Sequence, residues 1–157
     1  MSQPPFLPRA ALRLGFLGLA PLAISALVTL SAHTSTARLG AIAFSLYAAV
    51  LLSFLGGVRC GIEIMRDPQN PNAARLLFSA IPGLAGWILA VFVVFVTPAL
   101  GASAAFAGLF AAQVAWDDRS ARDAAAPAWY PLLRQVLTGG AMLICLLIPL
   151  ATLMHHL

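Results

Sequence analysis

The sequence has few charged residues and, over long stretches, none. Of its 157 residues only 9% are Asp, Glu, Lys or Arg, whereas 61% are hydrophobic. Ordinary globular domains have about 25% charged and about 45–50% apolar residues. Between Leu76 and Trp116 there is no Asp, Glu, Lys, Arg or His at all. Such a run is stable in a lipid bilayer and not in water. The lack of charge therefore excludes an ordinary soluble domain and predicts an integral membrane protein.

The uncharged run is too long for one membrane helix. As a single α-helix its 41 residues would extend about 61 Å, which is twice the roughly 30 Å thickness of the hydrocarbon core. Pro98 and Gly101 lie near its middle and mark a short hairpin. We therefore predict two spans in this run.

The hydropathy of the whole chain predicts five transmembrane helices in one domain, residues 1–157. The predicted spans are residues 11–32, 40–64, 75–96, 98–116 and 132–155. The fold class is therefore all-α, a polytopic membrane helical bundle. A cleavable signal peptide is an alternative interpretation of the first span, although its apolar segment exceeds the usual length of about 7–15 residues.

The sequence contains no lysine, and its nine basic residues are arginines scattered along the chain. Without a basic cluster, the high pI does not indicate nucleic-acid binding. If the N-terminus is cytoplasmic, Arg38 alone lies outside, Arg59 lies within a span, and seven arginines lie on the cytoplasmic side: Arg9, Arg13, Arg66, Arg75, Arg119, Arg122 and Arg134. Positive residues accumulate on that side. The sequence thus predicts a multi-pass protein of a bacterial inner membrane with a cytoplasmic N-terminus.

Residues for catalysis or metal binding are also scarce. The two cysteines, Cys60 and Cys145, lie at depths that differ by roughly 10–15 Å in the predicted topology, too far for a disulfide. No HExxH, paired CxxC, GxSxG, phosphate-binding or dinucleotide-binding motif is present. We expect no enzyme activity, cofactor or metal. The expected partners are the bilayer and either another membrane protein or further copies of this chain.

The second predicted span carries small residues on one side of its helix. At 100° per residue, these are Ala49, Ser53, Gly56, Gly57, Cys60 and Gly61. Small residues let the backbones of two membrane helices approach closely. We therefore predict that Ser53, Gly56, Gly57, Cys60 and Gly61 form a helix-packing surface and that this span is central.

Ionisable residues occur near the cytoplasmic ends of two spans. Arg59 and Glu63 are four residues apart, as are Gln113 and Asp117, so each pair lies on one helix face. An intramembrane polar cluster of these four residues is one interpretation. The alternative is structural anchoring, in which Arg59 extends to the headgroups. We interpret a further set as an interfacial anchor: Trp116, Trp129, Tyr130 and Arg134.

Three segments, residues 47–61, 75–82 and 128–130, resemble the transmembrane protein 69-like family, a domain of unknown function. The resemblance covers most of the chain and implies a small five-helix membrane protein without an established activity. Arg59 matches the polar position of the pattern. Cys60 departs from it, because a tryptophan is common there in the family.

The sequence is compatible with two functions. The first is a non-enzymatic scaffold, assembly or accessory subunit, which the small residues in the second and fourth spans favour. The second is a small-solute or proton transporter or channel that uses the cytoplasmic-side polar cluster.

Overall fold

The structure is a computed structural model in which the described residues are 8–95, 99–121, 127 and 129–155; side chains are described for these residues except at 99–100, 117–121 and 155. Within these ranges the chain forms five α-helices and no β-strand. The helices are α1 Arg9–Thr29, α2 Thr34–Arg66, α3 Ala73–Phe95, α4 Ala99–Ala121 and α5 Tyr130–His155. This confirms the predicted all-α membrane bundle.

The helices follow the predicted spans closely, with two notable extensions. Helix α4 continues to Ala121, five residues past its predicted end at residue 116. Helix α2 has 33 residues and begins six residues before its predicted span. Within the described side chains, four helices, α1, α2, α3 and α5, are long and apolar enough to cross a membrane. In α4 the side chains are described from Gly101 to Trp116, and this part is apolar as well. The predicted hairpin after α3 includes residues 96–98, which lie outside the described residues.

The five helices pack in a ring in chain order, with α5 returning to contact α1. Helix α2 contacts α1 and α3 and also reaches across to α4. The core contains Leu22, Phe44, Leu52, Phe106, Phe110 and Ile148, which are almost completely buried. Phe44 of α2 and Phe106 of α4 meet edge to face, with ring centroids 6.1 Å apart. This aromatic contact lies where α2 and α4 meet.

Tight turns join the first three helices. Gly40 allows α2 to pass α1, because a Cβ atom there would lie only 2.5 Å from the backbone nitrogen of Thr29. At the start of α3, the side-chain Oδ1 of Asn72 accepts a hydrogen bond from the backbone N–H of Arg75 at 3.1 Å. This bond satisfies one of the free N–H groups at the helix N-terminus. The turns therefore hold α1, α2 and α3 in antiparallel contact.

Helices α2 and α3 make the most extensive contact of any helix pair in the bundle, and their backbones approach closely at three glycines. A Cβ atom on Gly56 would overlap the backbone carbonyl oxygen of Ser79. From the other helix, a Cβ on Gly83 would lie 2.8 Å from Oγ of Ser53, and one on Gly86 would lie 3.1 Å from Cα of Ala49. The two helices therefore pack backbone to backbone through small residues.

The outer surface of the bundle is apolar. Large hydrophobic side chains that are mostly exposed include Leu14 and Leu17 on α1, Phe54 on α2, Leu77 and Phe95 on α3, and Leu143 and Met154 on α5. An apolar exterior of this extent is compatible with lipid and not with water.

Gly56 and Gly57 provide a direct test of the α2–α3 contact. We expect Gly56→Ala to lower the free energy of unfolding by about 1–3 kcal/mol, because the new methyl group overlaps the carbonyl of Ser79. Gly57 has no atom within 4 Å of its Cβ position, so Gly57→Ala should be neutral or slightly stabilising. Equilibrium unfolding in mixed detergent micelles measures the free energy of unfolding of the two variants. Equal effects of the two substitutions would contradict this packing.

Candidate functional site

Most of the polar side chains that link helices lie at one end of the bundle. This end is formed by the C-terminal ends of α2 and α4 and the N-terminal ends of α3 and α5, and we call it the charged end. It contains Arg59, Glu63, Arg66, Arg75 and Arg134. The topology prediction places this end at the cytoplasmic face.

Glu63 connects the end of α2 to the start of α3. Its Oε2 lies 3.5 Å from Nη1 of Arg75 and 3.8 Å from Nη1 of Arg66. The Glu63 side chain is only 12% exposed, whereas that of Arg75 is 50% exposed. The partly exposed arginine limits the strength of this ion pair, since surface pairs contribute about 0–1 kcal/mol. Its main effect is to fix the α2–α3 turn.

Arg59 lies against the indole ring of Trp116. The guanidinium carbon is 5.5 Å from the ring centroid, within the range of a cation–π contact. Trp116 also contacts the ring of Phe78, with centroids 5.5 Å apart. Trp116 therefore joins α4 to both α2 and α3, in addition to the interfacial position that the sequence predicted.

Arg134 lies inside the bundle and is only 6% exposed. Its Nη1 donates to the hydroxyl oxygen of Tyr130 at 2.6 Å, and its Nη2 donates to the backbone carbonyl of Leu55 at 3.1 Å. The second bond crosses from α5 to α2. The sequence analysis grouped Arg134 with the interfacial anchors, and the structure shows that it also bridges two helices. Trp129 and Tyr130 contact each other at the start of α5, with centroids 6.3 Å apart.

Two polar side chains are buried inside the bundle, and each has one atom without a hydrogen-bond partner among the described residues. They are Gln113 on α4 and Thr138 on α5. Within the part of the chain that the structure describes, Nε2 of Gln113 and Oγ1 of Thr138 have no hydrogen-bond partner. A buried polar atom without a hydrogen bond lowers the stability of the folded protein, and such atoms are rare in native structures.

The four residues of the predicted polar cluster have different surroundings. Glu63 faces Arg66 and Arg75, Arg59 faces Trp116, and Gln113 is buried. The side chain of Asp117 lies outside the described residues. Sequence reasoning missed Arg75, Leu55 and Thr138 as members of this region. The four-residue spacing of Tyr130, Arg134 and Thr138 on one helix face was the available signal.

The predicted packing surface of α2 is divided between two environments. Ser53 and Gly56 contact α3, and Cys60 is half-buried. Gly57 and Gly61 are exposed, with open space around their Cβ positions. Only part of the small-residue surface is therefore used within the bundle.

Helix α4 has an outer side made of small residues, which we call the α4 outward face. Its exposed members are Gly101, Ala104, Ala105, Gly108, Ala112 and Ala115. Nothing lies within 4 Å of a Cβ placed on Gly101 or Gly108. Trp116, at the charged end, is the large hydrophobic residue that α4 exposes within residues 101–116.

Groups suited to metal binding do not occur together in the described part of the chain. No set of three or more His, Cys, Asp or Glu side chains forms a metal-binding cluster there. Cys60 and Cys145 are both free thiols, as the sequence predicted.

The fold and the charged end define an integral membrane protein whose polar groups join helices. Residues 7–151 match the family described as "Protein of unknown function (DUF3429)", and the chain belongs to this family. It is 33% identical over 136 residues to Transmembrane protein 69 of Xenopus tropicalis, covering 86% of this chain. The chain spans about half, 51%, of the length of that relative. No solved structure matches the chain.

Arg134 offers a test of the α5–α2 bridge. We expect Arg134→Lys to destabilise the protein by about 1.5–3 kcal/mol, because an ammonium lacks the planar fork that reaches Tyr130 and Leu55 together. Arg75→Lys is the matched control at a half-exposed position, where a change below about 1 kcal/mol is expected. Equilibrium unfolding in mixed detergent micelles measures the free energy of unfolding of both variants. A tolerated Arg134→Lys would show that the bridge contributes little.

Proposed function

We propose that the protein is a non-enzymatic accessory or assembly subunit of a bacterial inner-membrane complex. Its partner in this proposal is a transmembrane helix of another membrane protein, which packs against the α4 outward face. The observation that carries the proposal is the small size of every exposed side chain from Gly101 to Ala115.

The contrast between α4 and the other helices supports this assignment. Helices α1, α2, α3 and α5 expose Leu, Ile, Phe, Trp or Met side chains along their length. Such side chains make extensive contacts with lipid chains. The α4 outward face has only methyl groups and glycine hydrogens, so a neighbouring helix can approach its backbone closely.

The spacing of the face also suits helix association. Ala104, Gly108 and Ala112 follow one another at intervals of four residues, the small-xxx-small pattern of close membrane-helix pairs. The corresponding pattern on α2 at Gly56 is already occupied by α3. Of the two spans whose small residues the sequence analysis singled out, we therefore assign partner binding to α4.

Gly108→Leu tests the proposal. The position is exposed and open, so the substitution should leave the fold intact while its side chain blocks a partner helix. We expect a stoichiometric partner to co-purify with the tagged protein in mild detergent and to be lost in Gly108→Leu. Gly57→Leu, at an equally open position on α2, is the matched control and should retain the partner.

A second function, transport of a small solute or proton, would be indicated by the opposite result. In that case the protein would be recovered without a partner. Flux into liposomes would then fall in the double variant Arg59→Ala, Glu63→Ala, at the charged end. The buried polar side chains Arg134 and Gln113 are the observation in favour of this alternative.

The proposed location also predicts an orientation. We expect the N-terminus and the charged end to face the cytoplasm, because seven of the nine arginines then lie on that side. Fluorescent-protein and alkaline-phosphatase fusions at the α2–α3 turn should report a cytoplasmic site, and fusions at the α1–α2 turn a periplasmic one. A periplasmic α2–α3 turn together with a cytoplasmic α1–α2 turn would contradict the orientation predicted from the arginine count.

A further inference from the structure

The buried residues of helix α1 are confined to one part of the helix. They all lie after Pro21 and are Leu22, Ser25 and Ala26. Residues 9–20, which precede Pro21 and which we call the first half of α1, are all exposed or half-buried. This half extends over about three helical turns. Segments with few buried contacts are among the least stable parts of a folded protein.

Pro21 lies at the boundary between the two halves of α1. Proline has no backbone N–H, so the carbonyl of Leu17, four residues earlier, loses its usual donor in the helix. Prolines are accordingly the commonest sites at which helices bend, and membrane helices tolerate them where neighbouring groups compensate. The missing hydrogen bond makes Pro21 a weak point of the α1 backbone, about which the first half can turn.

Pro82 of α3 does not divide its helix in the same way. Ser79, in the turn before Pro82, is buried, and its carbonyl lies against Gly56 of α2. The start of α3 is also tied to α2 by the ion pair between Glu63 and Arg75. The part of α3 that precedes its proline is therefore fixed at two points.

The first half of α1 contacts α5 through leucine side chains that lie against glycines. A Cβ atom on Gly15 would overlap the side chain of Leu137, and one on Gly140 would lie 2.9 Å from Cδ1 of Leu19. These contacts are apolar, and lipid chains are as apolar as leucine. The hydrophobic effect therefore does not oppose separation of the first half from α5.

A hydrogen bond from α2 holds the first half of α1 in place. The hydroxyl group of Tyr47 donates to the backbone carbonyl of Gly18 at 2.7 Å. Gly18 is three residues before Pro21, so the bond acts on the last turn of the first half. No water competes for such a bond in the apolar part of a bilayer. The bond therefore fastens the first half to α2 next to the proline.

We propose that the first half of α1 is a hinged segment that turns about Pro21 and is held closed by the hydrogen bond from Tyr47 to Gly18. The structure shows the closed state. In the open state the first half leaves α5 at Leu137 and Gly140, and lipid chains enter between the two helices. The segment is separate from the α4 outward face, so the hinge does not depend on the proposed partner helix.

Distances between two spin labels in bilayers test the hinge. The hinge pair carries labels at Leu14→Cys, on the first half of α1, and Leu77→Cys, near the start of α3. The control pair carries them at Leu27→Cys, after Pro21, and Phe95→Cys, at the end of α3. All four labelled positions are exposed, so the labels themselves should not disturb the packing.

The two native cysteines must not carry labels in this experiment. Cys60 is half-buried and is replaced by serine in every variant. Cys145 is completely buried and is retained, because a labelling reagent does not reach it in the folded protein.

We expect Tyr47→Phe to raise the population with a longer hinge-pair distance about fivefold, which is the ratio that the net free energy of one hydrogen bond gives. The control-pair distances should stay unchanged, because the second half of α1 remains packed in the core. Adding Pro21→Ala should restore the short hinge-pair distance, because alanine supplies the N–H that the Leu17 carbonyl lacks.

Three results would contradict the proposal. An unchanged hinge-pair distribution in Tyr47→Phe would show that the hydrogen bond does not hold the first half closed. Equal broadening of the hinge-pair and control-pair distributions would indicate a general loosening of the bundle instead of a turn about Pro21. A long hinge-pair distance that persists after Pro21→Ala would place the movement at another point of α1.

Discussion

The backbone contact between α2 and α3 is the interaction on which the rest of the bundle depends. Lipid chains are as apolar as leucine, so membrane helices are not driven together by the hydrophobic effect and must gain energy from close packing. Gly56 makes this close packing possible, because without a side chain it lets the backbone of Ser79 lie directly against α2. With α2 held in this position, Tyr47 donates to the carbonyl of Gly18 on α1 at 2.7 Å. The Leu55 carbonyl accepts from Arg134 on α5.

Polar groups in this fold are arranged by depth. At the outer edge of the charged end, Glu63 and Arg75 form a partly exposed pair whose energy is small. Further in, Arg134 has its guanidinium bound to Tyr130 and to a backbone carbonyl, because a buried charge without such bonds would be prohibitively costly. Gln113 and Thr138, which are buried as well, carry no charge. Charged side chains therefore occur where hydrogen bonds or water offset the free energy of burying them, and the other buried polar side chains described in this region are neutral.

Hydropathy alone predicted the five helices, since the length of an apolar run reports directly on depth in the membrane. It did not predict the neighbours of each helix. Arg134 was predicted as an interfacial anchor because of its position near the start of α5, and its contact with the Leu55 carbonyl on α2 depends on its direction around the helix axis, which hydropathy does not report. The alanines and glycines of α4 were recognised as a packing surface. Whether they faced α5 or the outside depended on the three-dimensional arrangement, because small residues carry no periodic contrast with large ones there.

The size of the side chains on the α4 outward face gives a physical reason for the proposed protein neighbour. Small side chains offer lipid chains little surface for contact, whereas they let the backbone of another helix approach closely. A partner helix packed along Ala104, Gly108 and Ala112 would therefore replace weak lipid contacts with close ones. Within the bundle, α4 contacts α5, α3 and α2 through its other sides, so binding of a partner at the outward face would require no rearrangement of the five helices.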